Sequence, residues 1–168
     1  IATLMVTHDP EEAMYLADRI AVMDRGKLRQ VGSPDQIYLE PANAFVAAFF
    51  GDVNRFTGQV ATGLVRIPLG PVATNGHADG QTVEVLIRPE ALRLSAGNSA
   101  DSADSVAGTV VAARFLGRSS LIDVRLGDNT GTTVRIHMDG RMLPDEGDAV
   151  SVTRDDAQTY VFAAPEGE

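Results

Sequence analysis

His8 stands between an apolar run, residues 1–6, and a group of carboxylates in the segment THDPEEAM. In an open α/β sheet, ligands lie beyond the carboxyl ends of the strands, and this pattern gives His8 such a position. An imidazole titrates near neutrality, so it can donate a hydrogen bond to a phosphate or hold a water molecule. Position alone fits a histidine that bonds a neighbouring loop better, and both interpretations stay open.

Two further places offer donors to an anion. Arg88 follows a predicted strand and could clamp an anion, although a solvated pair with Glu90 is the better interpretation. A second group of donors surrounds a glycine at a predicted hairpin turn and consists of Arg114, Arg118 and Ser119. A plain hairpin with polar turn residues explains that second group slightly better than an oxyanion site does.

Composition excludes several kinds of site. The chain has no cysteine, so disulfides and thiolate metal sites are excluded. His77 and His137 have no carboxylates at ligand spacing, so no metal site is expected at either histidine. The formal net charge of −9 argues against a nucleic-acid partner. No apolar run approaches the ~20 residues that cross a bilayer, so any membrane role requires a partner.

The first fifty residues read as the end of an α/β unit. Residues 1–6 suit a strand buried on both faces, and Asp9 caps a helix that runs to about Asp18, with Met14 and Ala17 facing inward. A hairpin follows over residues 20–31. Capping signals at Ser33 and Asn43 then open two short helices, and Gly51 ends the second.

After residue 51 the hydrophobic period changes from helical to two. Apolar and polar residues alternate in runs separated by Gly, Asn, Asp and Pro turns, which is typical of a small antiparallel barrel or sandwich. The stretch SAGNSADSADS, residues 95–105, has low complexity and predicts a surface loop. The predicted class is therefore α+β.

Residues 4–51, LMVTHDPEEAMYLADRIAVMDRGKLRQVGSPDQIYLEPANAFVAAFFG, strongly resemble the C-terminal end of the ATP-binding subunit of an ABC importer. The resemblance implies that His8 is the switch-loop histidine, which contacts the terminal phosphate of ATP and helps to hold the attacking water. Pro10 stands where that family often has glutamine. Because Pro10 falls in the first turn of the helix, the expected role of His8 is unchanged.

The rest of the ATP site is not in the sequence. The chain has no G-x-x-x-x-G-K-[ST] phosphate loop, and Lys27 is its single lysine. In that family the phosphate loop and the catalytic glutamate would precede Ile1. The expectation is a C-terminal fragment of an ATPase that uses ATP and Mg²⁺, and the fragment alone should be inactive.

The β region resembles the TOBE accessory domain of the maltose, iron, polyamine and sulfate importers, an oligonucleotide-binding-like barrel. The matching pieces are GDVNRFTGQV, VEVLIRPEALRL and FLGRSSLIDVRL. The resemblance implies two domains, residues 1–51 from the nucleotide-binding domain and residues 52–168 from the barrel. It also implies that the barrel supports dimerisation and regulation.

The family resemblance further implies a second copy of the subunit, transmembrane permease subunits and, indirectly, an external solute-binding protein. The subunit would lie in the cytoplasm on the inner face of the membrane, held there by the permease. Ferric iron or polyamine is the favoured solute. The alternative function is a free-standing cytoplasmic module that binds a small oxyanion, but such a module would not need residues 1–50.

Overall fold

A computed structural model describes residues 2–74, 76–97, 105–127, 130–141 and 143–165. The chain divides into two compact units, Ile1–Asp52 and Val53–Glu168. None of the helices within the described ranges is long and apolar enough to cross a membrane.

The N-terminal unit consists of three short helices and a β-hairpin. In chain order these are α1 (Pro10–Leu16), β1 (Ile20–Asp24), β2 (Lys27–Gly32), α2 (Pro34–Leu39) and α3 (Ala44–Phe49). The core of this unit is formed by Ile20, Val22, Ile37, Val46 and Phe50. Met14 and Ala17, which were expected to face inward, pack against this core and are partly buried.

The two later helices begin where the sequence predicts. Ser33 and Gln36 form a capping box, in which the Ser33 N–H donates to Gln36 Oε1 (3.0 Å) and the Gln36 N–H donates to Ser33 Oγ (3.4 Å). The side chain of Asn43 accepts from the N–H of Val46 (3.1 Å). These bonds occupy backbone donors that a helix start would otherwise leave free.

The predicted strand over residues 1–6 is wrong. Residues 2–6 pair with no strand in the described part of the chain, and Leu4 and Val6 are each 92% exposed. A strand buried on both faces needs neighbours that cover it. Here β1 pairs with β2 in a sheet of two strands, so the apolar run has no neighbouring strand to cover it.

The C-terminal unit is built from ten strands: β3 (Asn54–Ala61), β4 (Leu64–Ile67), β5 (Gly70–Ala73), β6 (Thr82–Ile87), β7 (Leu92–Ala96), β8 (Val106–Phe115), β9 (Ser119–Leu126), β10 (Thr133–Asp139), β11 (Ala149–Arg154) and β12 (Thr159–Ala163). Short 3₁₀ turns, Pro89–Ala91 and Asp156–Gln158, precede β7 and β12. Ser95 and Ala96 end β7 instead of opening a loop. Most of the predicted loop, residues 98–104, lies outside the described residues.

The ten strands form two sheets, with the orders β12-β6-β3-β4-β5 and β10-β9-β8-β11-β7. Every pairing among the described strands is antiparallel. In the second sheet β10 also lies near β7 and the 3₁₀ turn at Pro89–Ala91, so the sheet curls towards closure. The predicted antiparallel, barrel-like region is confirmed.

Alternating side chains of both sheets fill a single core. Val83, Val85 and Ile87 of β6 point into it and have no exposed surface, as their period of two predicts. The polar positions of β6 differ from expectation, because Glu84 is only 8% exposed. β6 is an inner strand between β3 and β12, and Arg55 of β3 pairs with Glu84 at 3.0 Å.

The side chain of Asn54 joins the two sheets. Its Nδ2 donates to the carbonyl oxygens of Arg135 (2.8 Å) and Ile87 (3.4 Å), and its Oδ1 accepts from the N–H of Arg135 (2.7 Å). Asn54 lies on β3 in the first sheet, whereas Arg135 lies on the edge strand β10 of the second. A buried amide side chain therefore supplies bonds that a neighbouring strand would otherwise give to β10.

Replacing Asn54 should destabilise the C-terminal unit. Asn54→Ala leaves buried backbone groups of β10 without their partners, so the free energy of unfolding should fall by about 1–3 kcal/mol. Urea unfolding measures this loss. The matched control is Thr57→Ala on the exposed face of the same strand, which should cost much less. Equal losses in the two variants would contradict the role given to Asn54.

Candidate functional site

His8 is exposed and sits between Thr7 and the capping residue of α1. Asp9 Oδ1 accepts from the N–H groups of Glu11 (2.9 Å) and Glu12 (3.2 Å), and the Asp9 N–H donates to Thr7 Oγ1 (3.1 Å). The carboxylate of Asp9, next to His8, thus caps the start of α1. The imidazole is left facing solvent, where it can act as a donor to a ligand.

The hairpin of β8 and β9 carries Arg114, Arg118 and Ser119. Arg114 is exposed, and its Nη1 lies 3.6 Å from Asp123 Oδ2. The same carboxylate accepts from Nε of Arg135 on β10 at 3.1 Å. Arg114 therefore belongs to an ion-pair network across the strands, in which the Asp123 carboxylate contacts both Arg114 and Arg135.

Polar groups at the tip of this hairpin hold the turn itself. The Leu116 N–H donates to the Ser119 carbonyl (2.8 Å), and the Gly140 N–H donates to the Arg118 carbonyl (2.9 Å). Ser120, which is buried, donates from Oγ to the Gly140 carbonyl (2.9 Å). These bonds match a polar hairpin turn, the interpretation that the sequence slightly favoured. They also attach the tip to the residue that follows β10.

The prediction of a solvated Arg88 is wrong, since its side chain has no exposed surface. Its guanidinium carbon lies 5.9 Å from the centre of the Tyr160 ring. The Arg88 N–H donates to the Gln158 carbonyl (3.2 Å), and the 3₁₀ turn that follows packs near β10. A charge pattern in one segment does not reveal this burial, because Tyr160 comes from the last strand.

The pKa of the Tyr160 phenol is shifted by burial and by the charges of Arg88 and Glu90. Burial raises the pKa of Tyr160 above its ordinary value of 10.0, while the charge of Arg88 and a hydrogen bond from it act in the lowering direction. The charge of Glu90 adds a smaller raising effect. The sequence patterns do not single out Tyr160. The period-two pattern that places Tyr160 and Phe162 on one face of β12 was the available signal, and their rings stack 6.4 Å apart.

The four candidate anion contacts lie in different surroundings. Arg88 is buried against Tyr160, whereas Arg114 and Arg118 are exposed on the β8–β9 hairpin and Ser119 is half-buried there. His137 is exposed on β10. Among the residues that the structure describes, no three His, Cys, Asp or Glu side chains are grouped closely enough to hold a metal ion.

Comparison with known proteins identifies the β region. Residues 85–162 match the TOBE domain family. The spermidine/putrescine import ATP-binding protein PotA of Thermobifida fusca is 35% identical over 172 residues, covering 96% of this chain and 45% of that protein. The chain matches the TOBE-bearing C-terminal part of ABC-importer ATP-binding subunits. The Fe(3+) ions import ATP-binding protein FbpC 1 of Rhodococcus jostii is 34% identical over 155 residues, covering 90% of this chain and 43% of that protein.

The chain thus spans less than half the length of these curated relatives. Its TOBE domain includes the β8–β9 hairpin, Arg88 and Tyr160.

A crystal structure of the cytoplasmic molybdate-binding protein ModG with molybdate bound aligns with a TM-score of 0.53, at 14% identity over 66% of this chain and 96% of that chain. At that identity the likeness concerns the barrel fold alone.

The raised pKa of Tyr160 predicts a loss of stability in alkali. As pH rises above 10.0, the unfolded chain releases the phenolic proton before the folded chain does, so the free energy of unfolding falls. In Tyr160→Phe this fall should be smaller between about pH 8 and about pH 11. Urea unfolding at both pH values measures it. The unsubstituted chain, unfolded at the same two pH values, is the reference.

Proposed function

We propose that the chain is the C-terminal part of an ATP-binding subunit that couples ATP hydrolysis to solute uptake. The observation that carries this proposal is the similarity to importer subunits over 90–96% of the chain. Residues 1–51 would then be the end of the nucleotide-binding domain, and residues 52–168 the TOBE-type barrel. The division of the chain near Asp52 supports this assignment.

Within that subunit, His8 would touch the terminal phosphate of ATP. Hydrolysis requires donors placed on the charge that develops at the phosphoryl group, and the protein contributes mainly by positioning them. Glu11 and Glu12 disfavour a phosphate at the start of α1, so the exposed imidazole is the better donor here. The cap by Asp9 fixes the backbone from which His8 projects.

ATP and Mg²⁺ would act in the full-length subunit. His8 fits a contact to the terminal phosphate, but this chain offers neither a phosphate loop nor the family's catalytic glutamate. The chain would therefore contribute one donor to a site whose other groups come from the rest of the subunit. That contribution suits a residue that completes the site only when ATP is bound.

The partners would be a second copy of the subunit and the transmembrane permease subunits, with the external solute-binding protein acting indirectly. The subunit would lie on the cytoplasmic side of the membrane, held there by its permease.

We favour ferric iron or polyamine as the solute, since the relatives matching 90% and 96% of the chain are named for these solutes. The oxyanion alternative is weaker, because Arg88 is buried while Arg114 and Arg118 are exposed.

Removing the His8 ring tests both the site and the function. In the full-length subunit assembled with its permease and binding protein, His8→Ala should lower solute-stimulated ATP turnover by a factor of about 10²–10³. Nucleotide affinity should change less than turnover, because the contact completes the site only when ATP is bound, and Tm should change little, because the side chain is exposed. The matched control is His137→Ala, an exposed histidine on β10. Normal turnover, or a large fall in Tm, would refute the assignment of His8.

The isolated chain should not hydrolyse ATP, because the phosphate loop and the catalytic glutamate are missing from its sequence. Phosphate release measured with the purified chain should equal the rate without protein. The same assay on the His8→Ala variant gives the background from any contaminating ATPase. Turnover that is present in the chain and lost in this variant would disprove the expectation.

A further inference from the structure

The tip of the β8–β9 hairpin exposes apolar and cationic side chains together. Phe115, the last residue of β8, is 45% exposed, and Leu116, which follows it, is 58% exposed. Arg118 is exposed in the turn, and Arg141 is exposed just after β10. We call these four residues the hairpin-tip patch.

The hairpin-tip patch is held together by specific contacts. The guanidinium carbon of Arg141 lies 5.9 Å from the centre of the Phe115 ring, within the range of a cation–π contact. The Gly140 N–H donates to the Arg118 carbonyl, which joins the end of β10 to the turn. The Arg141 guanidinium and the Phe115 ring are therefore close to each other before any partner arrives, which lowers the cost of binding.

The charge of the hairpin-tip patch is opposite to that of the chain. In the described part of the structure, no carboxylate lies within 4.0 Å of the Arg118 or Arg141 guanidinium. The chain as a whole carries −9, so this is a local concentration of unneutralised cations.

We propose that the hairpin-tip patch docks an acidic segment of a partner protein. Carboxylates of that segment would pair with Arg118 and Arg141, since guanidinium groups bind carboxylates in bidentate geometry. An apolar side chain between those carboxylates would cover Phe115 and Leu116. Exposed rings beside arginines are the composition found at the energetic centres of protein interfaces.

Charge complementarity favours this occupant over two others. A second copy docking by the same surface around a two-fold axis would place Arg118 and Arg141 against their own copies. An anionic membrane is an extended surface, so it would also meet the acidic side chains of a chain with a net charge of −9. A short acidic segment responds mainly to charges within a Debye length, about 8–10 Å, and there it meets Arg118 and Arg141 together with the carboxylate of Asp139, which faces Ser119 across the strands.

A nuclear magnetic resonance titration tests the proposal, which does not depend on the import function. The probe is the peptide Asp-Glu-Phe-Asp-Glu-Leu-Asp, capped at both ends and added to the nitrogen-15-labelled chain. Amide shifts should concentrate at residues 115–120 and 139–141. A peptide with the same carboxylates but alanine in place of Phe and Leu should bind at least about threefold more weakly, because it loses the apolar contact.

Charge reversal supplies the matched variants. Arg118→Glu combined with Arg141→Glu should raise the Kd of the peptide at least about tenfold. Arg125→Glu reverses one charge, half of the change in the double variant, on an exposed residue of β9 about 23 Å from the tip at ~3.3 Å per residue, and should change the Kd less than about twofold. The amide spectrum of each variant checks that the fold is retained.

Three results would overturn the proposal. The first is shifts that spread over the molecule, or a Kd that rises equally in the Arg125→Glu variant. The second is binding to vesicles of phosphatidylserine and phosphatidylcholine that depends on the two arginines while the peptide does not bind. The third is self-association in sedimentation velocity that the double charge reversal abolishes, because the occupant would then be a second copy.

Discussion

The β unit depends on one buried polar side chain that joins two sheets. Asn54 belongs to β3, yet three of its hydrogen bonds satisfy backbone groups of Ile87 and Arg135. The second sheet would otherwise end at β10 with free donors and acceptors, which is the usual weakness of an edge strand. Because the bonds are made to backbone atoms, they fix the register of β10, and through β10 they fix the ends of the β8–β9 hairpin.

Local patterns predicted most of the fold, since they are encoded within a few residues. The caps at Ser33 and Asn43 and the period of two in β6 are examples of such patterns. Features set by distant neighbours were not predictable. Residues 1–6 have the composition of a buried strand but no covering partner in the described chain, and Arg88 is buried because Tyr160, from the last strand, lies over it. Apolar or charged character alone does not determine burial.

The candidate sites follow the same division. His8 was found from its position between an apolar run and a capped helix, which are both local signals. The polar residues around Arg118 predict a possible anion contact, whereas the exposure of Phe115 and the approach of Arg141 from beyond β10 depend on tertiary structure. The net charge of −9 for the whole chain does not reveal the two exposed arginines at the tip.

The Asn54 bond also has a consequence for how the chain forms during synthesis. Its partner Arg135 lies 81 residues later in sequence. At ribosomal elongation rates of roughly 5–20 residues per second, about 4–16 seconds separate the appearance of the two residues. β3 and β6 are both completed within that interval, before the strand that Asn54 holds exists. Contacts so distant in sequence make folding slow, and this interval is when nascent apolar strands are most open to chaperones or to aggregation.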